Sequence, residues 1–212
     1  MDEVSATRPY SRNGTFASRA WSRRQQEIIG ELETIFLAEG FRHLTVGHLA
    51  ERLRCSRRTI YGLTTSKEQL VALVVDRLFN RMGQEAHDLV REQSEPQQRI
   101  EAYLSVAVKW SRTASPVFLR DMQTHLPTKQ VYDRHQQIAI RILQGFIEEG
   151  VQSGVFRPVH SFLVAQILDA AITRLREQQL LTQADMSHSA AVEELSQLLH
   201  RGLMRPAGAP AE

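Results

Sequence analysis

The segment LTVGHLAERLRCSRRTIYGLTTSK, residues 44–67, holds two short apolar-periodic runs separated by a polar break. Thr45 is placed to cap a helix whose apolar residues Val46, Leu49, Ala50 and Leu53 recur at i, i+3, i+4 and i+7. A break follows at Arg54-Cys55, and Ser56 can cap a second helix over residues 57–62. Arg57, Arg58 and Thr59 open that helix, Ile60 faces inward and Tyr61 lies near its end. Two short helices around a tight turn form a helix-turn-helix, whose second helix enters the DNA major groove with its N-terminal residues toward bases and phosphates. Paired cations at a helix N-terminus oppose the helix dipole, so phosphates or guanines are a natural source of counter-charge for Arg57 and Arg58. The expectation is that Arg57, Arg58 and Thr59 address bases, each good contact being worth ~1–3 kcal/mol of discrimination.

Working outward, EIIGELETIFLAEGFRHLTV (27–46) precedes the motif and ends in an acidic-Gly-aromatic turn, Glu39-Gly40-Phe41. Ser66-Lys67-Glu68-Gln69-Leu70 follows it. In this order the elements resemble the DNA-binding domain of the tetracycline-repressor (TetR) family over residues 24–75, roughly a quarter of the chain. The resemblance implies that Thr45 and Lys67 touch phosphates at the starts of the second and fourth helices, and that the Tyr61 hydroxyl does so too. His43 and Gly47 are secondary DNA candidates near the same backbone path.

Three positions depart from the family pattern. Arg54 replaces the usual turn glycine, which puts a non-glycine residue at positive φ for about 1 kcal/mol. Leu63 and Thr64 replace an aromatic pair, so Leu63 takes over part of that packing. Arg58 stands where many members have glycine, adding a cation at the groove and preventing transfer of any relative's operator.

The chain has 212 residues, 42% hydrophobic and 24% charged, ordinary for a globular protein with a sizeable core. No apolar run approaches the ~20 residues of a membrane span, and no segment near residue 1 reads as a signal peptide, so a cytoplasmic location is expected. The lone Cys55 excludes an intrachain disulfide and fits a reducing compartment; it reads as a small core residue, with redox sensing as the alternative. Residues 1–68 hold 11 Lys and Arg against 8 Asp and Glu, whereas residues 69–212 hold 15 against 16. The basic excess lies on the motif side, and non-specific DNA affinity should be moderate and salt-sensitive.

The pattern predicts an all-α chain of about nine helices in two domains. Residues 1–20 read as a flexible basic arm, 21–68 as a three-helix DNA-binding domain with the helix-turn-helix, 69–204 as a helical ligand-binding and dimerisation domain, and 205–212 as a disordered tail. In the first helix Ile28, Ile29, Leu32, Ile35 and Phe36 share a face, with Glu27, Glu31 and Glu33 outward. Ser66 and Gln69 fit a capping box for the fourth helix, whose stripe Leu70, Val71, Val74, Val75, Leu78 and Met82 runs well past the motif. Further helices begin near Pro96 and at Ser115-Pro116, and span 128–152, 160–179 and 189–203.

The family resemblance implies an effector cavity among the C-terminal helices, for which Tyr103, Trp110, Phe118, Met122, His125, Phe146 and Asp169 are the lining candidates. It also implies a homodimer through the last two helices, which suits two recognition helices reading a palindromic operator ~34–36 Å apart. The eight histidines show no metal-ligand spacing, and there is no Gly-rich phosphate loop, Gly-x-Ser-x-Gly or paired-carboxylate setting. No metal, no cofactor and no enzymatic activity are expected. The sequence thus points to a DNA-binding transcriptional regulator, a repressor released by a small molecule of unidentified structure. The alternative is a helical protein-interaction adaptor without specific DNA binding.

Overall fold

Local signals and apolar periodicity agree along most of the chain, and the computed structural model, which describes residues 21–205, is all-helical with ten helices. They are α1 (Arg23–Glu39), α2 (Val46–Arg52), α3 (Arg57–Tyr61), α4 (Lys67–Arg91), α5 (Pro96–Ser111), α6 (Pro116–Thr124), α7 (Leu126–Gln152), α8 (Ser161–Leu175), α9 (Gln178–Gln183) and α10 (His188–Leu203). The expected arm, 1–20, and all of the expected tail beyond residue 205 lie outside the described residues. The tenth helix is α9, a six-residue turn without a side-chain cap that periodicity does not distinguish from a loop.

Caps fix the helix starts as their residue types require. Thr45 accepts from His48 N–H (3.2 Å), Ser56 from Thr59 N–H (3.0 Å) and Ser115 from Phe118 N–H (3.1 Å). Ser22 and Gln25 form a complete capping box at α1. At α4 only half of the expected box is present. Ser66 accepts from Gln69 N–H (3.2 Å), but the Gln69 amide oxygen accepts from Thr65 N–H and Thr65 Oγ1 instead of reaching Ser66. Arg54 has φ +47°, the left-handed conformation expected where the family pattern has glycine.

One core joins the three N-terminal helices to α4, α6 and α7. Ile28, Leu32, Phe36, Phe41, Leu49 and Ile60 pack with Leu70, Val74 and Phe118. Leu63 is buried in it, and Thr64, also buried, donates to Ser66 O (3.1 Å). A second core between α5, α7, α8 and α10 centres on Ile100, Ile147, Phe156, Ala165 and Leu203. Phe156 lies against the α7 backbone at Gly150, where an added Cβ would fall 2.1 Å from the ring, so only glycine fits. Phe156 also bridges to Met204, and Arg157 N–H donates to Leu203 O (3.0 Å), tying the α7–α8 loop to the end of α10.

Glu33 departs from its expected outward position. It is only 2% exposed, held between Arg77 (3.5 Å) and Arg81 (2.8 Å) of α4. Helical spacing gave it a polar flank; α4 covers that flank and supplies two cations. Burial pushes the Glu33 carboxyl above its ordinary value, with Arg81 and Arg77 opposing.

Candidate nucleic-acid interface and internal cavity

The helix-turn-helix presents its polar residues on one exposed surface. Arg57 and Arg58 are exposed at the start of α3, and neither has a carboxylate partner among the described residues. The Arg57 guanidinium lies over Gly47, where an added Cβ would fall 2.8 Å from Nη2, so the glycine makes room for the arginine. Thr59 is partly buried, and its hydroxyl shares a 2.9 Å hydrogen bond with the Ser56 hydroxyl. Tyr61 is 51% exposed, which leaves its ring outside the core. Thr45 is exposed and caps α2, while exposed His43 lies 3.9 Å from Glu39.

Lys67 is partly buried, and its ammonium donates to Arg42 O (2.8 Å), joining the start of α4 to the α1–α2 loop. Burial lowers its basicity, opposed by Glu68 and Asp121. Cys55 is partly buried against the core, and burial raises its thiol, which works against a reactive thiolate.

Asp121 of α6 is a residue the sequence did not single out. Its Oδ2 accepts backbone N–H groups from Phe41 (2.7 Å) and Arg42 (2.9 Å) in the α1–α2 loop. Gly40 permits this approach: its φ is +77°, and an added Cβ would fall 2.5 Å from Asp121 Oδ2. Arg42 also donates to Thr124 Oγ1 (3.0 Å), and Ser115 N–H donates to Leu37 O (2.9 Å). Asp121 and its two backbone donors are about 80 residues apart in sequence, so no local pattern marks the pairing.

A cavity of about 470 Å³ opens among α4–α8 and α10. Tyr103, Trp110, Phe118 and Met122 line it, whereas His125, Phe146 and Asp169 do not. His125 instead caps α7, with its ring 5.5 Å from Phe41. Phe146 packs on Tyr103 (5.5 Å) beneath the Arg99 guanidinium (5.2 Å). Asp169 stands behind the wall, accepting from Gln136 Nε2 (2.5 Å), and Gln136 takes the lining position. Phe146 and Asp169 lie on helices that reach the cavity, but their rotational positions turn them elsewhere, and His125 lies between α6 and α7 as a cap. Lining residues missed in the sequence include Phe79, Tyr132, His135 and Arg176.

Two cavity residues lead directly to α4. His135 Nε2 lies 2.8 Å from buried Asp76, which also pairs with Arg134. Trp110 packs against the Arg81 guanidinium (4.9 Å), the same group that holds Glu33 of α1. Among the described residues no cluster of three or more His, Cys, Asp or Glu could hold a metal, and no helix is long and apolar enough to cross a membrane.

The sequence matches no protein-family model and no curated protein. Solved structures match the fold over nearly their whole length. A TetR transcription regulator from Haloarcula marismortui is 22% identical with TM-score 0.71, covering 87% of this chain and 100% of its own. The regulator FadR from Bacillus subtilis, in complex with stearoyl-CoA, is 18% identical with TM-score 0.60, covering 84% and 98%. A putative transcriptional regulator from Saccharomonospora viridis, in complex with choline, is 15% identical with TM-score 0.68, covering 85% and 97%. The architecture is therefore that of TetR-type transcriptional regulators: a helix-turn-helix head on an all-helical body.

Proposed function

We propose that this chain is a sequence-specific DNA-binding transcriptional regulator that binds a palindromic operator as a homodimer and is released by a small-molecule effector. The observation that carries the reading is the pair Arg57 and Arg58, exposed and, among the described residues, without a carboxylate partner at the start of a capped recognition helix. Their counter-charge comes from DNA. Thr45, Tyr61 and Lys67 position phosphates, and Thr59, tied to Ser56, holds the helix start more than it reads bases. Gly47 supports Arg57 by leaving space for its guanidinium.

The dimer forms through α8 and α10. Phe162, Leu163 and Ile167 on α8 and Leu198 on α10 are 54%, 56%, 59% and 68% exposed, an apolar face that a second copy covers. The effector occupies the cavity. Related folds accept ligands as unlike as stearoyl-CoA and choline, so the ligand here is set by this chain's own lining. Its binding acts through α6 and α4. Phe118 and Met122 of α6 line the cavity while Asp121 on the same helix grips the α1–α2 loop, and Trp110 and His135 touch groups that position α4. Release requires the effector to prefer the arrangement that does not fit DNA.

Selection of bound sequences from a random duplex pool, at fixed near-physiological salt, tests the reading. An enriched palindrome that disappears in the Arg57→Ala, Arg58→Ala double variant supports it. No enrichment by a folded dimer overturns it in favour of a protein-interaction adaptor.

A further inference from the structure

We propose that the cavity takes an amphipathic aromatic anion, with its rings on the aromatic wall and its carboxylate at Arg176 and Lys129. The inference rests on the cavity being the effector site. The apolar side is strongly aromatic, with Phe79, Tyr103, Trp110 and Phe118 contributed by α4, α5 and α6. The Lys and Arg residues that line the space are Lys129 and Arg176. One carboxylate binds both: Lys129 Nζ donates to Asp133 Oδ2 (2.7 Å), and Arg176 Nη1 donates to Asp133 Oδ1 (3.1 Å). Arg176 is the fixed member of this cluster. Its side chain is 16% exposed, its Nη2 donates to Thr173 Oγ1 (3.0 Å), and its guanidinium lies over the Tyr132 ring (4.3 Å). Lys129, with its side chain 52% exposed, stands at the rim.

Two cations against one carboxylate leave a positive excess on this side of the wall, and the neighbouring charges do not cancel it toward the cavity. Glu177 lines the space but pairs with Arg174 outside it. Asp169 lies behind the wall, where it accepts from Gln136 Nε2 (2.5 Å). His135 is directed at buried Asp76 (2.8 Å), itself paired with Arg134. Burial lowers His188, against its Nδ1 contact with Leu175 O (3.2 Å) and with help from the Arg176 charge, so its imidazole is uncharged at neutral pH. An entering carboxylate need not displace Asp133. A guanidinium and an ammonium each have more N–H donors than these bonds use, so the ligand oxygens join the cluster as further acceptors. Asp133 (36% exposed) and Lys129 open to solvent, so the arriving charge keeps part of its hydration while the rings leave water for aromatic contact. An ammonium at the same end meets two cations and a carboxylate that both already engage.

Three probes share one skeleton: biphenyl-4-carboxylate (anion), biphenyl-4-carboxamide (its neutral isostere) and biphenyl-4-ylmethylammonium (cation). Binding to the full-length protein is measured at pH 7.5 by calorimetry. In parallel, quenching of Trp110 is followed in the Trp21→Phe variant, which removes the only other tryptophan. The carboxylate should bind at least fivefold tighter than the amide and quench Trp110, with the ammonium weakest. Raising the salt from about 50 to about 500 mM should weaken the carboxylate several-fold and leave the amide within twofold. Arg176→Met should bring the carboxylate down to the level of the amide. If that variant does not fold, Lys129→Met at the exposed rim serves, and should weaken the carboxylate at least threefold while the amide stays within twofold. Amide or ammonium binding as tight as the carboxylate in the parent protein overturns the proposal. So does a carboxylate preference that ignores salt or survives the substitution, or heat without Trp110 quenching. No binding by any of the three overturns the effector-site reading beneath it.

Discussion

The Asp121 carboxylate accepts the backbone N–H of Phe41 at 2.7 Å, so α6, which lines the internal cavity, holds the loop that leads into the helix-turn-helix. The same oxygen accepts from Arg42, and charge-assisted bonds of this kind contribute ~1.5–3 kcal/mol each. Asp121→Ala leaves two amides without their acceptor and is expected to destabilise the protein by about 2–4 kcal/mol in urea unfolding. Operator affinity should fall at least fivefold while cavity-ligand affinity changes less than twofold. An equal loss at both sites would show that Asp121 supports the fold generally and does not couple the two.

The two arginines of α3 should separate by the kind of binding they support. Arg57 lies against Gly47 at the start of α2, the helix that Thr45 caps, so Arg57→Ala should weaken binding to all duplexes alike and reduce the salt slope by about 1. Arg58→Ala should cost ~1–3 kcal/mol on the operator and relax the preference at one base position. Fluorescence anisotropy titrations at several salt concentrations, with operator and scrambled duplexes, distinguish these outcomes.

The exposed face of α8 and α10 gives a test of assembly. Ile167→Glu, at a position 59% exposed in the single chain, should convert the dimer to monomer in sedimentation velocity. Binding to a full palindrome should then drop to the level of a half-site, with each chain's helix content unchanged. A dimer that survives Ile167→Glu and Leu198→Glu together would place the interface elsewhere.

Stability should fall on mild acidification. Burial lowers both His125 and His188 below the ordinary value of 6.5; Lys67 and Arg42 add to the effect at His125, and Arg176 at His188. The unfolded chain binds these protons near 6.5, whereas the folded chain binds them only at lower pH. The stabilisation is therefore complete above about pH 7 and is lost as pH falls toward the folded values, by at most ~1.4 kcal/mol per pH unit for each group. Urea midpoints between pH 5 and 8 should show this slope, and His188→Gln with His125→Asn, which retains a capping side chain, should flatten it.

Glu33 should behave in the opposite sense. Its carboxyl is raised by burial, so its ionisation opposes folding as pH climbs past the unfolded value near 4.5. Glu33→Gln keeps the shape and removes that opposition, and its melting temperature relative to the parent should rise from pH 4 to pH 7.

The motif was legible because its signals are local: caps at Thr45, Ser56 and Ser66, apolar spacing in α1 to α4, and a positive φ at Arg54. The cavity was legible only in its composition. Trp110 and Phe146 look alike in sequence as aromatic groups on C-terminal helices, yet one lines the cavity and the other packs on Tyr103 outside it. The difference depends on how each helix is rotated in the assembled body, which is set by packing partners far away in sequence. Glu33 and Asp121 were missed for the same reason, since their partners lie on α4 and in the α1–α2 loop. A six-residue helix such as α9 has too few turns for periodicity to mark it.

The unbroken 25-residue length of α4 has a mechanical consequence. At ~1.5 Å per residue it is a rod about 37 Å long, carrying Lys67 at one end and packed beside the cavity along its middle. Pivoting such a rod by about 5° moves its tip by about 3 Å, close to the ~3.4 Å rise of one base pair. In the proposed two-fold dimer both tips would swing, and the span between the recognition helices would be mismatched to the groove repeat by more than one step of the duplex. A displacement at the cavity no larger than the width of a methyl group is geometrically sufficient to put the protein out of phase with its site.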